Sequence, residues 1–387
     1  MRKKICFVTA ISGSAQSFLK DHIEALRKDY DVYYVCNYKD EKELAGLNLS
    51  GFHRIEIHRE ISIKNDLIAV FQLMRYLRKM RFDAVHSVTP KAGLITALAS
   101  WLACIPHRTH IFTGQVWATA HGTRRWMLKT LDKVTATLDN HVMVDGMSQR
   151  QFIIDEGVVS EKKSLVLGDG SICGVNTSRF CPNSRVREEW RKKLNLGQDK
   201  LVYILLGRMN HDKGVGDLME AYNRLAGECS NTFLLLVGNN ENGYMESLPR
   251  YDNLNRENFL YYGATPEPQL LLQAADVFVL PTYREGFGSS VIEAQCLGLP
   301  VVCSDAYGVM DAMVDEVTGL RCHVGDVDGI YKAMKRYHDQ CSLIKEHGDN
   351  GRKRVLEKFT GERLTKCWVE YYHKLFLHTD LTDPADY

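Results

Sequence analysis

A chain of 387 residues exceeds what one ordinary hydrophobic core supports, so two domains are expected. Its make-up, 45% hydrophobic and 25% charged with a net charge of +1, excludes a disordered, fibrous or disulfide-stapled protein and shows no nucleic-acid-binding footprint. Residues 1–180 nevertheless hold 25 Lys and Arg against 18 Asp and Glu, a basic half that suits an anionic ligand or surface, or reflects chance variation of surface charge. The 11 cysteines stand singly with no C-x-x-C pair, many in apolar runs such as "KKICFV", and no signal-peptide pattern precedes them. That usage predicts a reducing cytoplasm. The longest apolar run, residues 92–105, is shorter than the about 20 residues a membrane span requires and reads as a buried helix.

In chain order, "KKICFVTA" is a continuous apolar strand and "ISGSAQ" a small-residue loop. "SFLKDHIEALRK" places Phe18, Leu19, Ile23 and Leu26 on one helical face. Strands follow at "DVYYVC" and "FHRIEI", a helix at 66–80, a strand at "DAVHSV", the helix at 92–105, and strands at "RTHIFT" and "HVMVDG". The alternation predicts parallel strands joined by crossover helices in a doubly wound sheet. Glycines and Pro182 then punctuate 170–183, and the rhythm restarts. A charged helix, "VREEWRKKLNL", precedes the strand "LVYILLGR", a helix from Val215, and strands at "TFLLLVG", "FLYYG", "DVFVLP" and "PVVCSD". Two such sheets in tandem are expected, one domain over 1–175 rejoined by a helix at 361–378, the other over 176–360. The acidic tail "TDLTDPADY" is expected to fray.

In open parallel sheets, ligands sit beyond the carboxyl ends of the strands, which makes the loops there the candidates. The stretch "REGFGSSVIEA" (284–294) combines a glycine turn, a helix start and two carboxylates. Gly286 and Gly288 allow close backbone approach, and a helix beginning at Ser289 or Ser290 offers free N–H groups to an anion. Glu285 and Glu293 suit hydroxyl groups of a ribose or sugar. Ser290 and Glu293 also fit a capping box, in which the glutamate only satisfies the helix start. In "LLGRMNHDKG", Arg208 and Lys213 follow a strand and precede a helix, placed to donate to a diphosphate, although loop cations are often merely solvated.

The order and spacing of "GRMNHDKG", "LLLVG", "ADVFVLPTYREGFGSSVIEAQCLGLPVVCSDAYG" and "TGL" resemble the second domain of GT-B glycosyltransferases of the family 4 type, with Glu285 and Glu293 in that family's Glu-x7-Glu signature. The first half, "HSVTPKAGLITALASWLACIPHRTHIFTGQVWAT", is similar to bacterial transferases that build surface polysaccharides on lipid carriers. The resemblance implies two Rossmann-like domains facing across a cleft, retention at the transferred sugar, and no metal or other cofactor for the chemistry. It assigns Arg208 and Lys213 to the donor diphosphate, Glu293 to the ribose, Glu285 to the donor sugar, and the amides near Ser289 and Ser290 to phosphate. Gly13, in "AISGSAQ", matches the first-domain loop that approaches the donor, and Thr113, Gly114 and Gln115 fall on the acceptor side. The sequence departs from the family at "YGVMD" (307–311), where Asp311 replaces a glutamate.

The implied reaction transfers a sugar from a nucleotide-diphosphate donor, with UDP the expected nucleotide, to a lipid-linked saccharide. The transition state is oxocarbenium-like, and negative charge grows on the leaving diphosphate. A sugar-nucleotide epimerase or a non-catalytic nucleotide-binding subunit on the same scaffold are the rival readings. An NAD-dependent enzyme fits poorly, because "SGSAQS" lacks the three-glycine spacing. Two basic segments, "HGTRRWMLKTLDK" (121–133) and "MRYLRKMRF" (74–82), fit either ordinary exposed helices or contacts with the anionic inner face of the plasma membrane.

Overall fold

The computed structural model describes residues 2–58 and 62–377; the acidic tail lies outside them. These residues form two compact units, one running to Cys173 and regaining the helix Gly361–Leu377, the other spanning Gly174–Thr360. The joint falls two residues ahead of the expected 175/176 because the Val175 N–H donates to the Phe359 carbonyl at 2.8 Å, tying Val175 to the second unit.

The first unit carries strands β1 (Lys4–Ile11), β2 (Asp31–Asn37), β3 (Gly51–Arg54), β4 (Ala84–Val88), β5 (His107–Phe112), β6 (His141–Val144) and β7 (Ser164–Leu165). They lie in the order β3-β2-β1-β4-β5-β6-β7, all parallel. Helices α1 (Lys20–Leu26), α2 (Ile63–Met80), α3 (Pro90–Leu102), α4 (Gly122–Leu138) and α5 (Met147–Asp155) make the crossovers. All five residues of β4 are buried, as a central strand covered on both faces requires. Helix α3 ends earlier than the 92–105 expectation: Cys104 turns to φ 56° and the Ile105 N–H returns to the Ser100 carbonyl. Its small residues allow α2 and α4 to pack on either side of it, and Gly93 is obligatory there, since a Cβ would lie 2.4 Å from the His110 ring. The expected helix at 17–28 is regular only over α1; Ala15–Leu19 form a wider π-type turn.

In the second unit come α6 (Ser184–Lys193), β8 (Leu201–Leu206), α7 (Val215–Glu228), β9 (Thr232–Val237), α8 (Tyr244–Ser247), β10 (Phe259–Gly263), α9 (Pro268–Ala274), β11 (Val277–Leu280), α10 (Ser289–Cys296), β12 (Val301–Ser304), α11 (Val309–Ala312), β13 (Gly319–Cys322), α12 (Val327–Asp339) and α13 (Ser342–Lys358). The order is β10-β9-β8-β11-β12-β13, again all parallel. Strands β8, β9, β11 and β12 are continuous apolar runs, and α7 and α12 lay Leu218, Tyr222 and Leu225, and Ile330, Met334 and Tyr337, onto the sheet.

The last helix, α14 (Gly361–Leu377), returns to the first unit. Trp368 stacks between His22 and His86 at ring distances of 4.7 and 4.9 Å, and the Tyr372 hydroxyl meets His86 Nδ1 at 2.9 Å. Both units are doubly wound, so each has a switch point where the winding direction reverses: between β1 and β4 in the first, between β8 and β11 in the second.

Candidate active site

The loops that carry Arg208, Lys213 and Glu285 leave the two strands that flank the second unit's switch point. Backbone contacts lock them together. The Tyr283 N–H and the Thr282 hydroxyl both donate to the Asp212 carbonyl, at 2.8 and 2.7 Å, and the Arg284 guanidinium pairs with the Asp212 carboxylate at 2.5 Å. Gly214 (φ 67°) lies so close to Pro281 that a Cβ would sit 2.0 Å from its carbonyl oxygen. On the other side, Met209 N–H donates to Asn239 at 2.8 Å, and Gly238 packs on Gly207 with room for no side chain.

This scaffold holds the Lys213 ammonium against the Glu285 carboxylate in a charge-assisted hydrogen bond. Both side chains are mostly buried. Arg208 is more exposed, and its Nη1 donates to both Glu241 carboxylate oxygens at 2.9 and 3.0 Å; Asn210 donates to the same carboxylate and caps the Lys213 amide with its side-chain oxygen. Glu241, Asp212, Arg284 and Asn210, which orient the two cations, were not singled out by the sequence pattern, because their partners lie 3 to 72 residues away along the chain.

Helix α10 begins at Ser289 with Gly288 (φ 85°) ahead of it and no side-chain cap. The capping-box alternative for Ser290 and Glu293 is therefore not realised: the N-cap is Gly288, two residues ahead of Ser290, which leaves Glu293 in the helix's second turn instead of at the position that reaches back to the cap. The amides of Ser289 and Ser290 open the helix. The loop after β12 buttresses the turn through Gly308 (φ 82°), where a Cβ would lie 2.6 Å from both the Glu285 and Gly286 carbonyl oxygens. Glu293 is half-buried and has no hydrogen-bond partner among the described residues; burial pushes its carboxyl up to about 7 against the opposing pull of Arg179. Arg179 itself is anchored on the Pro266 carbonyl at 2.6 Å and on Gln269 at 3.0 Å. Asp311 falls in the first turn of α11.

Gly13 and Thr113–Gln115 belong to the first unit. Gly13 is exposed directly after β1, and a Cβ there would meet nothing within 4 Å, so packing does not demand the glycine. Thr113 is half-buried after β5. Gln115 is wholly buried and accepts from Gln149 Nε2 at 3.2 Å. His110 is likewise interior, bonded to Ser87 at 2.8 Å. Thr89, at the end of β4, is held at φ 80°, an outlier for a β-branched residue, with its buried hydroxyl lacking a partner among the described residues. No three or more His, Cys, Asp or Glu gather into a metal-holding cluster among the described residues.

Residues 186–354 match the family model described as glycosyl transferases group 1, and residues 18–167 match that of the glycosyl transferase 4-like domain. The capsular polysaccharide biosynthesis glycosyltransferase CapM of Staphylococcus aureus is 30% identical over 371 residues, covering 93% of this chain and 94% of the relative. The N,N'-diacetylbacillosaminyl-diphospho-undecaprenol alpha-1,3-N-acetylgalactosaminyltransferase of Campylobacter jejuni is 28% identical over 331 residues, 82% of this chain and 84% of that one. Among solved structures, HepE of Anabaena in complex with UDP and glucose superposes with a TM-score of 0.79 at 17% identity over 96% of this chain and 100% of that chain. The sucrose-phosphate synthase of Thermosynechococcus elongatus does so at 0.76 and 18% identity, over 98% and 100%. The GT-B fold is thus shared with both, and with the family models and a relative aligned over nearly its whole length, the chain belongs to the GT-B glycosyltransferases of the family 4 type.

Proposed function

We propose that this glycosyltransferase moves a sugar, with retention, from a UDP-sugar to a lipid-carried saccharide in the assembly of a bacterial surface polysaccharide. The observation that carries the reading is the switch point of the second unit: two cations and an uncapped helix start stand on interlocked loops, beside a half-buried carboxylate with no hydrogen-bond partner among the described residues. A diphosphate exchanges with Glu241 and Glu285 for Arg208 and Lys213, and those carboxylates keep the cations ordered until it arrives. The Ser289 and Ser290 amides meet phosphate oxygens, and Glu293 accepts the ribose hydroxyls. Negative charge developing on the leaving diphosphate is neutralised by these donors, with no resident metal or other cofactor in the reading. Glu285, released from Lys213, braces the donor sugar. The HepE structure, which holds UDP and glucose, and the diphospho-undecaprenol acceptor in the Campylobacter transferase's name support the choice of donor and acceptor class.

No helix among the described residues is long and apolar enough to cross a membrane. The reading places the enzyme on the cytoplasmic face of the plasma membrane, where α2 and α4 offer exposed Phe71 and Trp126 among Arg75, Lys79, Arg124 and Lys133. The test is a thermal-shift and calorimetric screen of nucleotides, followed by donor turnover in Arg208→Ala and Glu293→Ala. UDP is expected to stabilise the wild type, and each variant to lose about tenfold or more in affinity. Donor incubated alone should remain unconverted by NMR. Failure of every nucleotide to bind, or near-normal turnover in both variants, refutes the proposal.

A further inference from the structure

A cavity lies in the first unit, lined by residues other than those of the proposed nucleotide site. About 430 Å³ in volume, it is walled by Leu94 of α3, Val116 and Trp117 of the loop after β5, and Met127, Leu128 and Leu131 of α4. That volume is in the range of small-ligand sites, and the lining is largely hydrocarbon. Pro90 and Lys91, immediately after β4, complete one side. The cavity therefore sits beyond the carboxyl ends of β4 and β5, where Pro90 follows the strained Thr89 and Val116 follows Gln115 along the chain.

Its charges are uneven. Arg124 lines the cavity, is exposed, and has no ion-pair or hydrogen-bond partner among the described residues. Lys91 adds a second cation, an ammonium paired at 2.6 Å with Asp66. The carboxyl in the wall, Asp132, is buried, accepts the Trp117 indole N–H at 2.7 Å, and is pushed up to about 7 by burial, so it repels an anion weakly. Beyond the cavity, the apolar surface continues outward through Val116, Met127 and Trp126, which are 40%, 39% and 71% exposed. A free saccharide would find few hydrogen-bonding groups in this wall. A hydrocarbon chain ending in an anionic head fits both the lining and the unpaired cation.

We infer that this cavity takes the head-proximal hydrocarbon of a polyprenyl-diphosphate carrier, with the chain against Leu94, Leu128 and Leu131 and the diphosphate at Arg124. The inference rests on the lipid-linked acceptor of the proposed function, and it adds where on the first unit that lipid is gripped. The site holds a short stretch of the chain; the rest runs out over Trp126 toward the bilayer.

The test uses the full-length protein and geranylgeranyl diphosphate as probe, with geranylgeraniol, inorganic pyrophosphate and vesicles of phosphatidylglycerol as comparison arms, and calorimetry as readout. Geranylgeranyl diphosphate should bind at least tenfold more tightly than either the alcohol or pyrophosphate. Filling the cavity with Leu131→Trp, or with Leu94→Phe should the first fail to fold, should weaken it at least tenfold. Arg124→Ala should weaken the diphosphate about tenfold and leave the alcohol unchanged. UDP affinity, measured in the same variants, should equal that of the wild type. Wild-type probe affinity in a folded cavity-filling variant overturns the inference. So does displacement of the probe by the vesicles at equal lipid concentration, which would assign the cavity to bulk membrane lipid. If UDP binds and the prenyl diphosphate does not, only this inference fails; if UDP does not bind, the donor site fails independently.

Discussion

The interlocking of the β8 and β11 loops is open to a direct test at Gly214. This residue adopts φ 67°, and a Cβ added there would sit 2.0 Å from the Pro281 carbonyl oxygen. Carbon–oxygen contacts settle at about 3.3 Å or more, so Gly214→Ala must part the two loops by roughly 1.3 Å. The left-handed conformation adds about 1–2 kcal/mol of its own. Lys213 is the adjacent residue, and such a shift draws its ammonium away from the position it shares with Glu285. Losing a hydrogen bond to a charged group costs about 1.5–3 kcal/mol, which corresponds to UDP affinity lower by about tenfold to 150-fold. The control is Gly298→Ala: its φ is 83°, but a Cβ would meet nothing within 4 Å. That variant should lose only the conformational term in thermal or urea unfolding and bind UDP as the wild type does. Titration calorimetry with UDP, together with circular dichroism to confirm folding, reads both. Unchanged UDP affinity in a folded Gly214→Ala protein, or an equal loss in Gly298→Ala, refutes the reasoning.

The Glu293 carboxyl, raised to about 7, gives two pH signatures of opposite sign. A raised acid contributes stability that is full below its unfolded value near 4.5 and is lost as pH rises through 7, so Glu293→Gln should gain on the order of 2 kcal/mol relative to wild type between pH 5 and 8 in urea unfolding. UDP binding should move the other way: wild-type affinity should rise as pH passes 7 and the carboxylate forms, and Glu293→Gln should abolish that dependence. In the first unit, burial lowers His22 to about 4 and His110 to about 3, and lowers His86 as well. These groups contribute fully above the unfolded value near 6.5 and lose that contribution as pH falls through the folded values, so Trp368 fluorescence should report acid release of α14 below pH 6.5; a flat signal to pH 4 would contradict it. Trp368→Ala removes a fully buried ring between two imidazoles and should cost about 3–5 kcal/mol in unfolding. Arg191, 1% exposed, donates to Ala274, Gly197 and Lys200 carbonyls and to Asp276. Arg191→Leu should cost about 3–5 kcal/mol, and a loss under about 1 kcal/mol would show that those carbonyls find other partners.

Much of this protein is written locally. Runs such as "LVYILL" and "TFLLLV" are long enough and apolar enough to be central parallel strands wherever they fall, and the glycine turn before "SSVIEA" marks a helix start on its own. Strand β7 carries two residues and β13 four, one of them an exposed arginine. Neither offers a periodic signal, so both exist only because a neighbouring strand edge was there to pair with. The same holds at Gln115, which the resemblance puts on the acceptor side and whose burial is set by a partner, Gln149, that lies 34 residues on.

From sequence alone came the two strand–helix repeats, the joint between them, and the cation and carboxylate positions of the second, because run length, periodicity and turn chemistry depend on near neighbours. Only the tertiary structure decided that β8 and β11 lie side by side, that Lys213 meets Glu285 across 72 residues, and that Glu293 is left half-buried with no hydrogen-bond partner among the described residues. Strand order, burial and the charge state that follows from burial are properties of what packs against a residue, and distant segments supply that packing.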